Sequence, residues 1–200
     1  MSSPLLATLI AVQIALGAFD MLFHHEATER LAWRPSQRRE LQLHALRNVI
    51  YGGLFLCLAW TQPQGFLALA VMAVLLAEVA ITLWDFVEED RSRKLPETER
   101  VLHTLLALNY GAILVLLLPL LADWAALPGG FVVVDHGLMS WFLTLAAAGV
   151  TVFGLRDFAA TRRLQRLTLT DALDLVTPSA APKHVLVTGG TGFVGRRLVA

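Results

Sequence analysis

Five apolar stretches, at about residues 3–23, 40–60, 65–86, 99–124 and 136–158, dominate this chain of 200 residues. Each approaches the roughly 20 residues that an α-helix needs to cross about 30 Å of hydrocarbon. Segments in such a medium must satisfy their own backbone polar groups, so helices are expected rather than open sheets. Apolar residues make up 56% and charged residues 16% of the chain. With a mean hydropathy of +0.61, these proportions exclude a disordered chain and argue against an ordinary water-soluble domain. Sixteen basic and sixteen acidic residues cancel, leaving no polybasic footprint for nucleic acid. A single cysteine, Cys57, excludes an intrachain disulfide framework and reads as a small packing residue. The predicted fold class is an all-α integral membrane protein with the lipid bilayer as a partner.

Local signals place the ends of these helices. Pro4 after Ser3 suits a first helical turn, and Gln62-Pro63-Gln64-Gly65 reads as a tight turn. Ser36 and Asp135 are expected as caps of the second and fifth helices. The stretch from Leu127 to Asp135 is a surface loop or a brief interfacial segment. Basic residues set the orientation. Arg30, Arg34, Arg38 and Arg39 follow the first helix; Arg91, Arg93, Lys94 and Arg100 surround the third connection; Arg156, Arg162, Arg163 and Arg166 follow the fifth helix. The second-to-third and fourth-to-fifth connections contain no lysine or arginine. The positive-inside rule then puts the N-terminus outside and the C-terminus in the cytoplasm, with Trp60, Trp124 and Trp141 at the outer interface.

The polar exceptions within the helices are ordered. Gln13, Asp20 and His24 in the first helix, and Glu78, Asp85 and Glu89 in the third, share spacings of seven and four. Those intervals keep each trio on one α-helical face. The second helix reads Glu40, His44, Tyr51-Gly52, and the fourth repeats that spacing as Glu99, His103, Tyr110-Gly111. The match predicts two parallel helical-hairpin repeats, about 4–61 and 66–124, forming a four-helix bundle within a transmembrane domain over 1–160.

Ionisable groups in hydrocarbon face a bundle interior or an aqueous cavity. Asp20, His24, Glu40, His44, Asp85, Glu89, Glu99 and His103 are the candidate metal ligands. Carboxylates with imidazoles suit iron, manganese or zinc. A polar network without metal is the second arrangement, with Arg47 neutralising Asp20 or Asp85, and Glu40, Glu89 and Glu99 solvated near the interface. A quinone, lipid or haem pocket is the third. His25, Glu26, Glu88 and Asp90 are expected to be hydrated at helix ends, and His136 to be exposed.

The last forty residues change character. An amphipathic segment and a linker cover 161–182, the linker being Thr177-Pro-Ser-Ala-Ala-Pro182. A strand from Lys183 to Thr188 then opens into Thr188, Gly189, Gly190, Thr191, Gly192, Phe193, Val194 and Gly195, followed by a helix start at Arg196. A strand, a glycine turn and a helix N-terminus offer backbone amides to a pyrophosphate.

The run from Val185 to Gly195 resembles the opening of the extended short-chain dehydrogenase/reductase family, in its NAD-dependent epimerase/dehydratase branch. The preceding helices are similar to the membrane region found before such a domain in some bacterial proteins, which implies the bacterial inner membrane. The resemblance implies a Rossmann domain that binds NAD or NADP and a Tyr-x-x-x-Lys pair that performs the chemistry. It covers only 183–200, the start of such a domain, so these 200 residues are expected not to be catalytically complete. The implied function is the membrane-anchoring part of an NAD(P)-dependent oxidoreductase or epimerase, acting on a membrane-derived or lipid-soluble substrate. The alternative is a metal- or redox-cofactor-binding bundle.

Overall fold

The computed structural model describes residues 3–176, with side-chain burial through residue 167. The glycine motif at 188–195 lies outside the described residues. The chain divides into two compact units, Met1–Arg166, which holds the bundle, and Leu167–Ala200. Helix α1 (Pro4–Phe19) is capped by Ser3, whose hydroxyl accepts from the Leu6 amide. It runs directly into a π-helical segment, Asp20–Thr28. Two short 3₁₀ turns, Leu31–Trp33 and Pro35–Gln37, lead to α2 (Arg38–Trp60). Strand β1 (Thr61–Gln64), α3 (Phe66–Ser92) and α4 (Glu97–Ala125) follow, then β2 (Gly130–Val133) and α5 (Leu138–Val176).

Five helices are long and apolar enough to cross a membrane, as the apolar stretches predict. The details differ from expectation in five places. Asp135 accepts from the Gly137 amide in the turn before α5, which starts at Leu138, rather than capping that helix. Ser36 sits inside a 3₁₀ turn, and Gln37 occupies the cap position of α2. The expected tight turn at 62–65 is largely strand β1, paired antiparallel with β2 from the 127–135 loop, Thr61 opposite Val133 and Gln64 opposite Gly130. Neither segment identifies itself locally, because its partner lies some seventy residues away; Pro63 is tolerated because both strands of a two-stranded ribbon are edges. The expected end of the fifth helix near 158 is passed, since α5 continues to Val176. Finally, the first helix changes its winding at Asp20, with consequences described below.

Helix α1 packs on α4, α2 on α3, and α3 on α4. Helix α5 lies on α2. Trp60 donates its indole N–H to Thr144 at 2.8 Å, and Ser140 donates its hydroxyl to the Ala59 carbonyl. A Cβ on Gly52 would meet Thr151 Oγ1 at 2.1 Å, and one on Gly154 would meet the Ala45 carbonyl at 3.0 Å. Small residues here permit the close crossing that packing between membrane helices favours.

The interior is divided along the bundle axis. Toward the β-ribbon, Leu6, Ile10, Leu58, Leu75, Leu117 and Leu121 form an apolar core. Toward the α1–α2 and α3–α4 connections the interior is charged. Glu40, Glu78, Asp85 and Glu99 are each 0% exposed, whereas Val115 is 72% and Leu145 74% exposed. Carboxylates inside and aliphatic side chains outside invert the arrangement of a water-soluble domain and accord with lipid around the bundle.

Candidate functional site

Six carboxylates and four histidines meet in the charged half, together with two guanidiniums. Arg93, from the α3–α4 connection, reaches Glu40 of α2 at 2.8 Å and Glu99 of α4 at 2.6 Å. It grips Glu99 through both terminal nitrogens, and Ser92 adds a hydroxyl to Glu40 at 2.9 Å. Burial opposes the charged form of Arg93, but the hydrogen bonds it donates to Glu99 and Glu40 outweigh it and hold the guanidinium above the ordinary arginine range. Sequence reading treats Arg93 only as a topogenic charge in a basic loop. Its side chain is 7% exposed and fastens two helices.

Arg47 organises a second group. Its Nε donates to Glu78 at 3.1 Å and its Nη1 to Asp85 at 2.9 Å. Tyr51 and Thr82 also donate to Glu78, while His44 Nδ1 lies 3.4 Å from Asp85 Oδ2. Of the two carboxylates expected for Arg47, the structure thus gives it Asp85 rather than Asp20. Asn109 donates to Gln13 at 2.7 Å and to the Leu9 carbonyl, tying α4 to α1.

Asp20 is the centre of the third group. His24 Nδ1 shares a hydrogen bond of 2.8 Å with Asp20 Oδ1, and its Nε2 reaches Thr98 at 3.2 Å. Asp20 Oδ2 points the other way, 3.2 Å from His103 Nε2 and 3.6 Å from His25 Nε2. His25 Nε2 is also 3.6 Å from Glu99 Oε1. His103 Nδ1 backs onto Glu89 Oε2 at 3.3 Å.

His25 corrects the expectation of a hydrated helix end, for it is 3% exposed. The cause is the π-helical winding, in which each amide reaches five residues back, as Glu29 N–H does to the His24 carbonyl at 2.8 Å. This wider winding turns His25 toward the face of Asp20, while His24 keeps its own contact with Asp20. The α-helical spacing used to select residues could not include it. The adjacent His24-His25 pair is the one sequence signal that points there. Glu26 is partly buried and ion-paired with Arg156, whereas Asp90 is hydrated as expected, its side chain 71% exposed. Glu40, Glu89 and Glu99, considered as solvated in the metal-free arrangement, are at most 1% exposed.

Asp20, His25, Glu99 and His103 each offer one ligand atom, all within 4.8 Å of one another. This buried Asp/His/Glu/His cluster can hold a metal ion. Among the other candidate ligands, Glu40 is held by Arg93, Asp85 by Arg47 with His44 beside it, and His24 and Glu89 stand behind Asp20 and His103. Seven buried side-chain nitrogen or oxygen atoms among the described residues lack a hydrogen bond, and six belong here: His25 Nε2, His44 Nδ1, Glu78 Oε2, Asp85 Oδ1 and both Glu89 oxygens. Native interiors contain few such atoms, so their concentration in one place marks a site rather than packing noise.

No family model, curated protein or solved structure matches the chain.

Proposed function

We propose that the bundle is a metal-binding membrane module in which Asp20, His25, Glu99 and His103 hold one divalent first-row ion, iron, manganese or zinc. The observation that carries this reading is His25 Nε2, a buried nitrogen without a hydrogen bond, aimed at two carboxylates at 3.6 Å. An ion bound at about 2.0–2.2 Å separates tetrahedral ligand atoms by about 3.3–3.6 Å, close to the distances around Asp20. The surrounding residues also match what ligands need. His24 fixes the Asp20 carboxylate, Glu89 backs the far nitrogen of His103, and Arg93 orients Glu99. Six buried carboxylates against Arg47 and Arg93 favour a cation among them.

In this proposal the module anchors an NAD(P)-dependent oxidoreductase or epimerase acting on a membrane-associated or lipid-soluble substrate. Its nucleotide site begins at 188–195, and the basic connections keep that side in the cytoplasm. The sequence motif and the arginine distribution support these parts of the reading. The α1–α4 and α2–α3 pairings fit a twofold relation between two hairpins, whereas the α3–α4 packing has no α1–α2 counterpart of similar extent among the described residues.

Metal retention tests the assignment. The purified chain in detergent, stripped with chelator and offered Zn²⁺, Mn²⁺ or anaerobic Fe²⁺, is expected to retain about one ion, measured by elemental mass spectrometry. His25→Ala and His103→Ala should lose it. A wild-type chain that retains none of the three, or a His25→Ala variant that retains as much, overturns the assignment. Binding of NAD(P)H by the protein made from the native coding region tests the anchoring role separately.

A further inference from the structure

A cavity of about 240 Å³ runs beside the charged cluster and is lined by all five long helices. Its lining on α2 extends from His44 to Phe55, about 16 Å along the axis at the α-helical rise. The two ends differ in chemistry. Asp20, His44, Arg47, Asn48 and His103 lie at the charged end, and Ile14 and Phe55 at the end nearer the β-ribbon. Leu22 of the π-helical segment and Gly149 of α5 line the cavity and are themselves exposed, so it communicates with the outer surface of the bundle.

We infer that this cavity binds a slim, neutral, lipid-soluble molecule whose carbonyl or hydroxyl oxygen sits beside Asn48 and whose apolar body lies along Ile14 and Phe55. Asn48 is 7% exposed, yet among the described residues its amide nitrogen has as a partner only the Met21 sulfur at 3.8 Å. A thioether is a weak acceptor, so this buried donor is left for a better one. A carbonyl oxygen accepts from Asn48. A hydroxyl does the same and can also donate to Asp20, which lines the same cavity. Arg47, the guanidinium on the wall, is already engaged by Glu78 and Asp85, and Asp20 is the carboxylate beside it, so the lining favours a neutral head group over an anionic one. The tail requires no polar partner, because Ile14, Phe55 and Val150 supply apolar walls. A buried oxygen-reading site also discriminates sharply against a hydrocarbon of the same shape, since Asn48 would then remain unpaired.

This inference deepens the reading of a lipid-soluble substrate and rests on that part of it; the metal assignment stands or falls separately. The test measures binding of geranylacetone, its secondary alcohol and the hydrocarbon lacking the oxygen to the chain in nanodiscs. Saturable binding of the ketone, the alcohol or both is expected, with the hydrocarbon at least tenfold weaker. A Cβ at Gly149 meets nothing within 4 Å, so Gly149→Phe can fill the cavity without disturbing the helices. That variant should lose the ligand while retaining metal, and Asn48→Leu should bind ketone and hydrocarbon alike. Relative affinities of ketone and alcohol identify which oxygen state the site prefers. The inference is overturned by equal binding to wild type and Gly149→Phe, by equal affinity of wild type for the hydrocarbon, or by absence of binding. Displacement of the ketone by dodecyltrimethylammonium at lower concentration would overturn the neutral head group. Loss of oxygen-ligand binding alongside intact NAD(P)H binding by the protein made from the native coding region would remove the cavity and leave the anchoring role in place.

Discussion

Asp20 and Asp85 occupy matching places in the sequence spacing of the first and third membrane helices and are neutralised by different means. Asp85 lies in a regular α-helix and receives a guanidinium, Arg47, at 2.9 Å. Asp20 opens a π-helical segment and is surrounded by His24, His25 and His103. The fourth helix has Leu106 three residues after His103, where the second has Arg47 three residues after His44. A permanent charge satisfies one carboxylate for good. Imidazoles leave the other able to share a metal, because a neutral ring nitrogen is a ligand and a guanidinium is not. The glycines following the two tyrosines diverge as well: Gly52 is pressed against α5, whereas a Cβ on Gly111 would meet nothing within 4 Å. Helix α5 thus closes on the glycine of α2 and leaves that of α4 open.

The largest effect should come from Arg47→Leu, which leaves buried Glu78 and Asp85 without their cation. A loss of about 3–5 kcal/mol is expected from breaking such a pair, read as a fall in thermal unfolding temperature in detergent. His25→Ala should leave that temperature little changed in the metal-free state; equal losses in both variants would erase the distinction between the two aspartates. Next comes Leu106→Arg, which gives Asp20 the cation that Asp85 already has. The variant should fold and fail to retain an ion, and full retention would mean that the missing arginine does not set the difference. The smallest of the three is His24→Ala. Its ring positions Asp20 without joining the four ligand atoms, so metal affinity should fall by about 10–100-fold rather than vanish. Competition with a chelator measures that decrement.

The five helices were legible because each apolar run is long enough to cross hydrocarbon, and burial of its polar residues followed from helical spacing. Asp20, Glu99 and His103 of the four-residue cluster were selected in this way. His25 was not, since a 3.6-residue period puts it on a different face from Asp20 and only the π-helical winding returns it. Arg93 was legible as a charge but not as a clamp, because loop sequence carries no period from which inward direction can be read. The β-ribbon was hidden for another reason: a strand of four residues acquires its identity from its partner, and β1 and β2 are separated by two long helices. Local pattern therefore recovered the helices and most of the polar row. Geometry made by a change of winding or by distant pairing required the fold itself.

The β-ribbon joins the α2–α3 connection to the α4–α5 connection at one end of the bundle. At the opposite end Arg93 lies astride Glu40 and Glu99. The bundle is thus fastened at its two ends by unlike means, backbone hydrogen bonds at one and buried ion pairs at the other.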